Sequence, residues 1–452
     1  MTVARRGRRW HDVMRSGRRG ARPARSAPRN APRTEQVATV RVEGIAAGGD
    51  GVGRIDGLAC FIPRTAPGDV AQIAYISHAR YARGRVLQLL ESSPDRVSPS
   101  CRHYVADRCG GCQLQHLSVN AQRDVRRRIV RDALQRVGHR AMELPELVAD
   151  AEWTYRERLT LSLRARGTGY AGGLHAYDDP SRVFALEECP ITDPRLTAAW
   201  MALKGRLRGL PTAAVDAPLR LSLRLNGAED DVAVVVSGGA QWQEGAPWAD
   251  EARGAVPAIA AIWWEPTGRP PVLLSGNPGR DVLAFAQVNA VVSTALREYV
   301  LDVVRALNPA SVIDAYSGRG DLAAALAREG VRVTAIEADS AATHRAAQQL
   351  AAFSGSRVVT AMVESVIAES LPADVVGLKP PRRGLDVRVA AALADAARGG
   401  VHAIVYVSCD PATLARDVAR LPLWRVSSIK CFDMFPQTAH EESVCVLVPG
   451  ES

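Results

Sequence analysis

The sequence predicts an α/β fold with a small β-barrel in front of it, and three patterns carry the prediction. From residue 283 onward, short apolar runs alternate with helical stretches, which implies a mostly parallel sheet. The first of these runs, 312–316, leads into the glycine turn Ser317-Gly318-Arg319-Gly320-Asp321. Residues 36–91, by contrast, alternate short apolar runs with glycine-rich turns and show no helical period.

Residues 1–35 hold eleven Arg and no Lys, against only Asp12 and Glu35. The whole formal charge of +9 therefore lies in this arm. Its composition predicts disorder and a weak attraction to nucleic-acid phosphates, although a solvated tail or an organelle transit peptide fits as well. Strands are expected at 37–42, 59–62, 70–76 and 82–89, with 48–53 as a glycine turn. They make a barrel domain over 36–92.

Cys101, Cys109 and Cys112 then fall within twelve residues, and Cys189 follows later. Gly110-Gly111 inside the Cys-x2-Cys pair lets the backbone wrap a metal centre closely. Four thiolates suit either a [4Fe–4S] cluster or tetrahedral zinc. Residues 117–139 carry six Arg on a helical period, either as a solvated face or as a contact for RNA phosphates. Residues 150–280 are strand-rich, so 93–282 is expected to form a mostly β central domain. In 283–452 a helix is expected at 290–307. Strands are expected at 312–316, 331–336, 357–361, 374–378, 402–408, 424–430 and 443–448.

Composition narrows the class. Apolar residues make up 47% and charged residues 23%, which is ordinary for a globular chain. No apolar run approaches the roughly 18 residues of a membrane span. No apolar segment of a secretory signal follows the N-terminus. Eight cysteines in such a chain point to metal binding or catalysis rather than a disulfide framework. A cytoplasmic monomer is the expectation.

Two stretches carry chemistry. Ile404-Val405-Tyr406-Val407-Ser408 reads as a buried strand that stops at Cys409-Asp410-Pro411. Asp410 can cap the next helix, and Pro411 suits its first turn. Cys409 then sits at the ligand-binding edge of the sheet, where a helix N-terminus favours a thiolate. A small packed cysteine is the competing reading. In the second stretch, Gly318 and Gly320 allow a close approach to a ligand, and Glu337 at the end of the next strand can accept ribose hydroxyls. Only Gly-x-Gly is present, which favours S-adenosylmethionine over the pyrophosphate of NAD.

Several motifs along most of residues 36–450 resemble the RNA uracil-C5 methyltransferase family. They are the barrel, which looks like a TRAM domain, the four cysteines, Phe285-Ala286-Gln287-Val288-Asn289, and the glycine loop with Glu337. The most specific are the 405–417 stretch around Cys409 and Met434-Phe435-Pro436-Gln437-Thr438-Ala439-His440-Glu441-Glu442-Ser443. The resemblance implies a class I (Rossmann-like) methyltransferase domain, S-adenosylmethionine and a [4Fe–4S] cluster on Cys101, Cys109, Cys112 and Cys189. It implies a structured RNA substrate, with 23S ribosomal RNA ahead of transfer RNA. It makes Cys409 the nucleophile and Glu442 the base, with His440 as the alternative base. Gln287, Tyr316, Gly318, Glu337 and Lys379 are implied on the cofactor side. The sequence departs from the family pattern at Lys379, where an acid is usual, and at Asp410, Gln437 and 317–321. Lys379 supports a rival reading, an RNA-binding paralogue that no longer transfers methyl groups.

Overall fold

The computed structural model describes residues 34–213, 218–226, 231–278, 282–283 and 286–450. The basic arm, apart from its last two residues, and Phe285 lie outside the described residues.

The barrel is built from β1 (Gln36–Ile45), β2 (Gly51–Ile55), β3 (Leu58–Ile62), β4 (Val70–Ser77) and β5 (Ala82–Glu91), closed in the order β1-β2-β3-β5-β4. Val40, Val42, Cys60, Ile62 and Ile73 fill it. The expected turn at 48–53 is shorter than read, because Gly51 and Gly53 belong to β2. Both are glycine for lack of space. A Cβ on Gly51 would lie 1.9 Å from Thr65 Oγ1, and one on Gly53 would lie 2.3 Å from Val40 Cγ1.

After the barrel come α1 (Arg102–Val105), α2 (Val119–Arg136) and β6 (Glu146–Val148). The central sheet uses β7 (Arg158–Arg166), β8 (Gly169–His175), β9 (Val183–Ala185), β10 (Arg220–Leu225), β11 (Val232–Ser237), β12 (Ile259–Glu265) and β13 (Val272–Gly276). Helices α3 (Pro194–Leu203) and α4 (Gly245–Ala255) pack on it through Trp200 and Trp248.

The C-terminal part opens with α5 (Ala290–Ala306), β14 (Ser311–Ala315), α6 (Asp321–Arg328), β15 (Arg332–Glu337), α7 (Ser340–Leu350) and β16 (Arg357–Thr360). It continues with α8 (Val363–Ser370), β17 (Val375–Leu378), α9 (Val387–Ala396), β18 (Ala403–Ser408), α10 (Pro411–Ala419), β19 (Trp424–Phe432) and β20 (Glu442–Pro449). The sheet order is β16-β15-β14-β17-β18-β20-β19-β6. Strands β14 to β18 run parallel, and β20 is antiparallel to both β18 and β19. The chain steps outward from β14 to β16 and then restarts on the other side at β17. The crevice between the ends of β14 and β17 is therefore the topological switch point, where ligands bind in such sheets.

Residues 119–148, expected in the central domain, instead pack on the C-terminal sheet. Strand β6 pairs with β19, and Val130 and Leu134 of α2 join the core of Ile404, Leu414, Val418 and Trp424. The arginines of α2 correspondingly serve the protein more than its surroundings. Arg126 is fully buried, with Nη2 at 2.7 Å from Asp433 Oδ1 and Nε at 3.5 Å from Glu441 Oε2. Neither contact has the geometry of an aligned hydrogen bond, since the four atoms lack such partners. Nη1 does donate to Thr438 O at 3.0 Å. Arg123 also reaches Asp433, and Arg127 and Arg131 bond within the helix region.

Burial pushes the Glu441 carboxyl up to about 8; Arg126 opposes this and Asp433 adds to it. Truncation in Arg126→Ala leaves Asp433 without its buried partner. We expect a loss of about 3 kcal/mol or more in urea unfolding; a loss below about 1 kcal/mol would show that the loop is held otherwise. A carboxyl raised above its ordinary 4.5 stabilises the fold most at low pH and loses that contribution as pH rises toward 8. The stability difference between the wild type and Glu441→Gln should therefore shift against the wild type from pH 5 to pH 8. A pH-independent difference would contradict the raised carboxyl.

Candidate active site

Two strand ends bring the first two expected residues together. Ser408 pairs with Ser443 in the β18–β20 register, so Cys409 and Glu442 meet at one sheet edge. Asp410 caps α10 as expected, accepting from Thr413 N at 2.7 Å. Cys409 is half-buried and unbonded to any other sulfur. Burial pushes its thiol up, Glu442 and Asp410 add to that, and Arg382 opposes it. The lowering expected from the helix end is outweighed, chiefly by burial of the thiol and then by the charge of Glu442.

Glu442 is buried, and its Oε1 accepts from Gln287 Nε2 at 3.3 Å. Burial raises this carboxyl, while Lys379, the Gln287 bond and Arg382 each favour its ionised form. Asn289 caps α5 beside it, accepting from Val292 N at 3.2 Å. His440 is solvent-facing, and its ring is held near neutrality by burial of its inner edge and by Arg382 and Arg156.

The cofactor-side residues line the switch point. Tyr316, Gly318 and Gly320 all have positive φ, at 62°, 56° and 78°. Gly320 is required twice over, since a Cβ there would lie 2.8 Å from Ala346 Cβ. Glu337 folds back on the loop, accepting from Gly318 N at 3.1 Å and from Ala338 N at 2.7 Å. Asp314 is buried and raised to about 7, chiefly by burial and against the pull of Lys379. Its Oδ2 and the neighbouring Ser317 Oγ are buried without partners. These two orphaned polar atoms beside an open glycine turn fit a polar ligand such as S-adenosylmethionine. Lys379 follows β17, and its backbone N–H donates to Ala315 O at 3.3 Å.

The four expected metal-site cysteines also come together. The charges of Cys101, Cys109 and Cys189 all bear on Cys112, and those of Cys101 and Cys189 bear on Cys109. Burial pushes Cys109 up to about 11 and Cys112 up to about 12. Gly111 N donates to Cys109 Sγ at 3.4 Å. Three buried thiols and the half-buried Cys189 beside them fit a group that replaces their protons. Among the described residues, however, no three His, Cys, Asp or Glu side chains converge as ligands of a metal ion.

Several partnerships at the site were not readable in the sequence. Gln122 Nε2 donates to Gln437 Oε1 at 2.9 Å, and Gln437 N donates back to Gln122 Oε1 at 3.0 Å. Gln437, which departs from the family's histidine, is thus a buried structural amide at φ 69°. Tyr155 packs among Cys101 and Cys112 and donates to Pro436 O at 3.0 Å. Gln113 Oε1 accepts from Ala439 N at 3.2 Å. No local pattern marks these residues, because each acts across more than 250 positions of chain.

Comparison with known proteins agrees with this geometry. A family model described as tRNA (Uracil-5-)-methyltransferase matches residues 281–449, and one for the TRAM domain matches residues 33–87. An uncharacterized RNA methyltransferase of Thermosynechococcus vestitus is 30% identical over 91% of this chain and 98% of its own length. The 23S rRNA (uracil(1939)-C(5))-methyltransferase RlmD of Halomonas elongata is 30% identical over 97% of this chain and 94% of its own length. The Pyrococcus abyssi tRNA (uracil-54, C5)-methyltransferase, solved with S-adenosyl-L-homocysteine, shares the fold at a TM-score of 0.62. It is 22% identical, covering 90% of this chain and all of that one. Among the described residues, no helix is long and apolar enough to cross a membrane. With the barrel, the switch-point crevice and the paired cysteine and glutamate all in place, the chain belongs to the RNA uracil-C5 methyltransferase family.

Proposed function

We propose that this protein transfers a methyl group to carbon 5 of a uridine in structured RNA through a covalent adduct on Cys409. The observation that carries the reading is the juxtaposition of Cys409 and Glu442 across β18 and β20. When bound over the Gly318 loop, S-adenosylmethionine supplies an electrophilic methyl. Asp314, Ser317 and Glu337 offer it polar partners. Cys409 adds to carbon 6 of the uracil as a thiolate, for which Arg382 is the nearby cation. Glu442 then removes the hydrogen on carbon 5, and the thiolate leaves. To reach Cys409 the base must leave its stack.

Relatives named for 23S ribosomal RNA, matched over almost their whole length, support ribosomal RNA ahead of transfer RNA. The grouping of Cys101, Cys109, Cys112 and Cys189 supports a [4Fe–4S] cluster there. The rival of an inactive RNA-binding paralogue rests on Lys379. The intact Cys409–Glu442 pair speaks against it.

A 23S ribosomal RNA transcript carrying 5-fluorouridine, incubated with protein and S-adenosylmethionine, should yield a covalent complex that mass spectrometry maps to Cys409. Glu442→Gln should slow turnover by about 10²–10⁴-fold and accumulate the adduct on ordinary RNA. Loss of turnover without an adduct in that variant would remove Glu442 as the base. As purified without oxygen, the protein should be brown and contain iron; a colourless protein containing zinc would overturn the cluster assignment.

A further inference from the structure

The switch-point crevice holds a cation that the chemistry above leaves unused. Lys379 stands at the end of β17, which lies between β14 and β18. On one side is the Asp314–Gly320 loop, and on the other is Cys409. Each neighbouring strand is about 5 Å away in the plane of the sheet. The Lys379 side chain is exposed. Among the described residues its ammonium has no hydrogen-bond or ion-pair partner, although its charge bears on both Asp314 and Glu442. The ordinary habit of a surface lysine is to face water. This one stands over the crevice between the methyl-donor loop and the nucleophile, with a buried carboxylate on either side.

The reaction creates one new anion in that crevice. When the Cys409 sulfur bonds to carbon 6, the carbon 5–carbon 6 π pair moves onto carbon 5 and the oxygen on carbon 4. The resulting enolate uses that pair to bond the methyl carbon, as the carbon–sulfur bond of the sulfonium breaks. Glu442 takes the carbon 5 proton. The electrons of that bond restore the double bond, and the carbon 6–sulfur bond breaks to return the thiolate. We propose that the Lys379 ammonium donates a hydrogen bond to the carbon 4 oxygen of the target uracil and stabilises the enolate formed when Cys409 attacks. A donor that meets charge only as it develops lowers the barrier itself, not merely the binding energy. A carboxylate in this place has no proton to offer that oxygen.

The inference rests on the uracil-C5 reading, and one experiment separates the two. Full-length wild type, Lys379→Met, Lys379→Gln and Lys379→Arg are mixed with saturating S-adenosylmethionine and the 5-fluorouridine transcript. The rate of adduct formation is followed in a single turnover. S-adenosylhomocysteine affinity is measured by calorimetry, and thermal melting confirms that each variant is folded. Loss of the donor predicts a slowing of about 100-fold in the Met variant at unchanged S-adenosylhomocysteine affinity, and the Gln variant, which keeps an amide N–H donor but no charge, should fall between Met and wild type. The Arg variant, which keeps a donor and a charge, should recover much of the rate. Wild-type adduct rates in the folded Met variant would overturn the inference. A defect confined to S-adenosylhomocysteine affinity would overturn it too, and would give Lys379 to the cofactor carboxylate. A wild-type protein that binds S-adenosylhomocysteine but forms no adduct would remove the uracil reading, and this inference with it.

Discussion

The buried cluster of Arg126, Asp433 and Glu441 is the interaction on which the site depends. It joins a helix from the first third of the chain to the loop that delivers Glu442. A guanidinium with no solvent exposure is tolerable only when its counter-charges are fixed, because each buried ion loses several kcal/mol of hydration. Any shift of the 433–441 loop would leave a charge uncompensated. The reciprocal Gln122–Gln437 amide pair and the Arg126 bond to Thr438 O add directional restraint along the same loop. Glu442 thus starts its strand at a position set from outside the sheet to which it belongs.

The cysteine-bearing loop restrains the same segment from its other side. Tyr155 lays its ring among Cys101 and Cys112 and its hydroxyl on Pro436 O, while Leu114 N donates to Gln437 O at 3.0 Å. A group bound by the cysteines would stiffen the wall that holds the catalytic loop. The barrel is tied to that wall as well. Arg64 lies 3.7 Å over the Tyr104 ring and 4.3 Å over Tyr177, and it donates to Cys109 O at 2.9 Å.

Charge at the sheet edge follows from strand order. Asp314, Lys379, Cys409 and Glu442 end or begin β14, β17, β18 and β20, four strands that are successive neighbours in space. The acids are buried and raised, the thiol is raised, and the lysine between them lowers both acids. Without ligands the site therefore resists ionisation of its nucleophile. A bound base and cofactor that exclude water would change that balance.

Much of this architecture was legible in the chain. The alternating β-branched runs placed every C-terminal strand, since such runs fit only a sheet covered on both faces. The cap at Asp410 was readable, because an N-cap bond spans three residues. Cys409 and Glu442 were recognisable as motif residues, and their strands' antiparallel pairing needed only the connectivity. Local pattern misled where distance in the sequence hid the partner. Gly51 and Gly53 looked like a turn, but they are strand positions with no space for a side chain. The Arg-rich face of α2 looked solvated, yet Arg126 is its most buried charge. Helical periodicity reports which positions share a face; it does not say whether an acidic loop 300 residues away will close over that face. The sequence by itself determined the elements, the caps and the reactive residue types, because these depend on neighbours within a few positions. The tertiary structure alone decided which charges are buried together, and hence where Glu442 sits and what Lys379 faces, because burial and pairing are properties of surfaces brought together by folding.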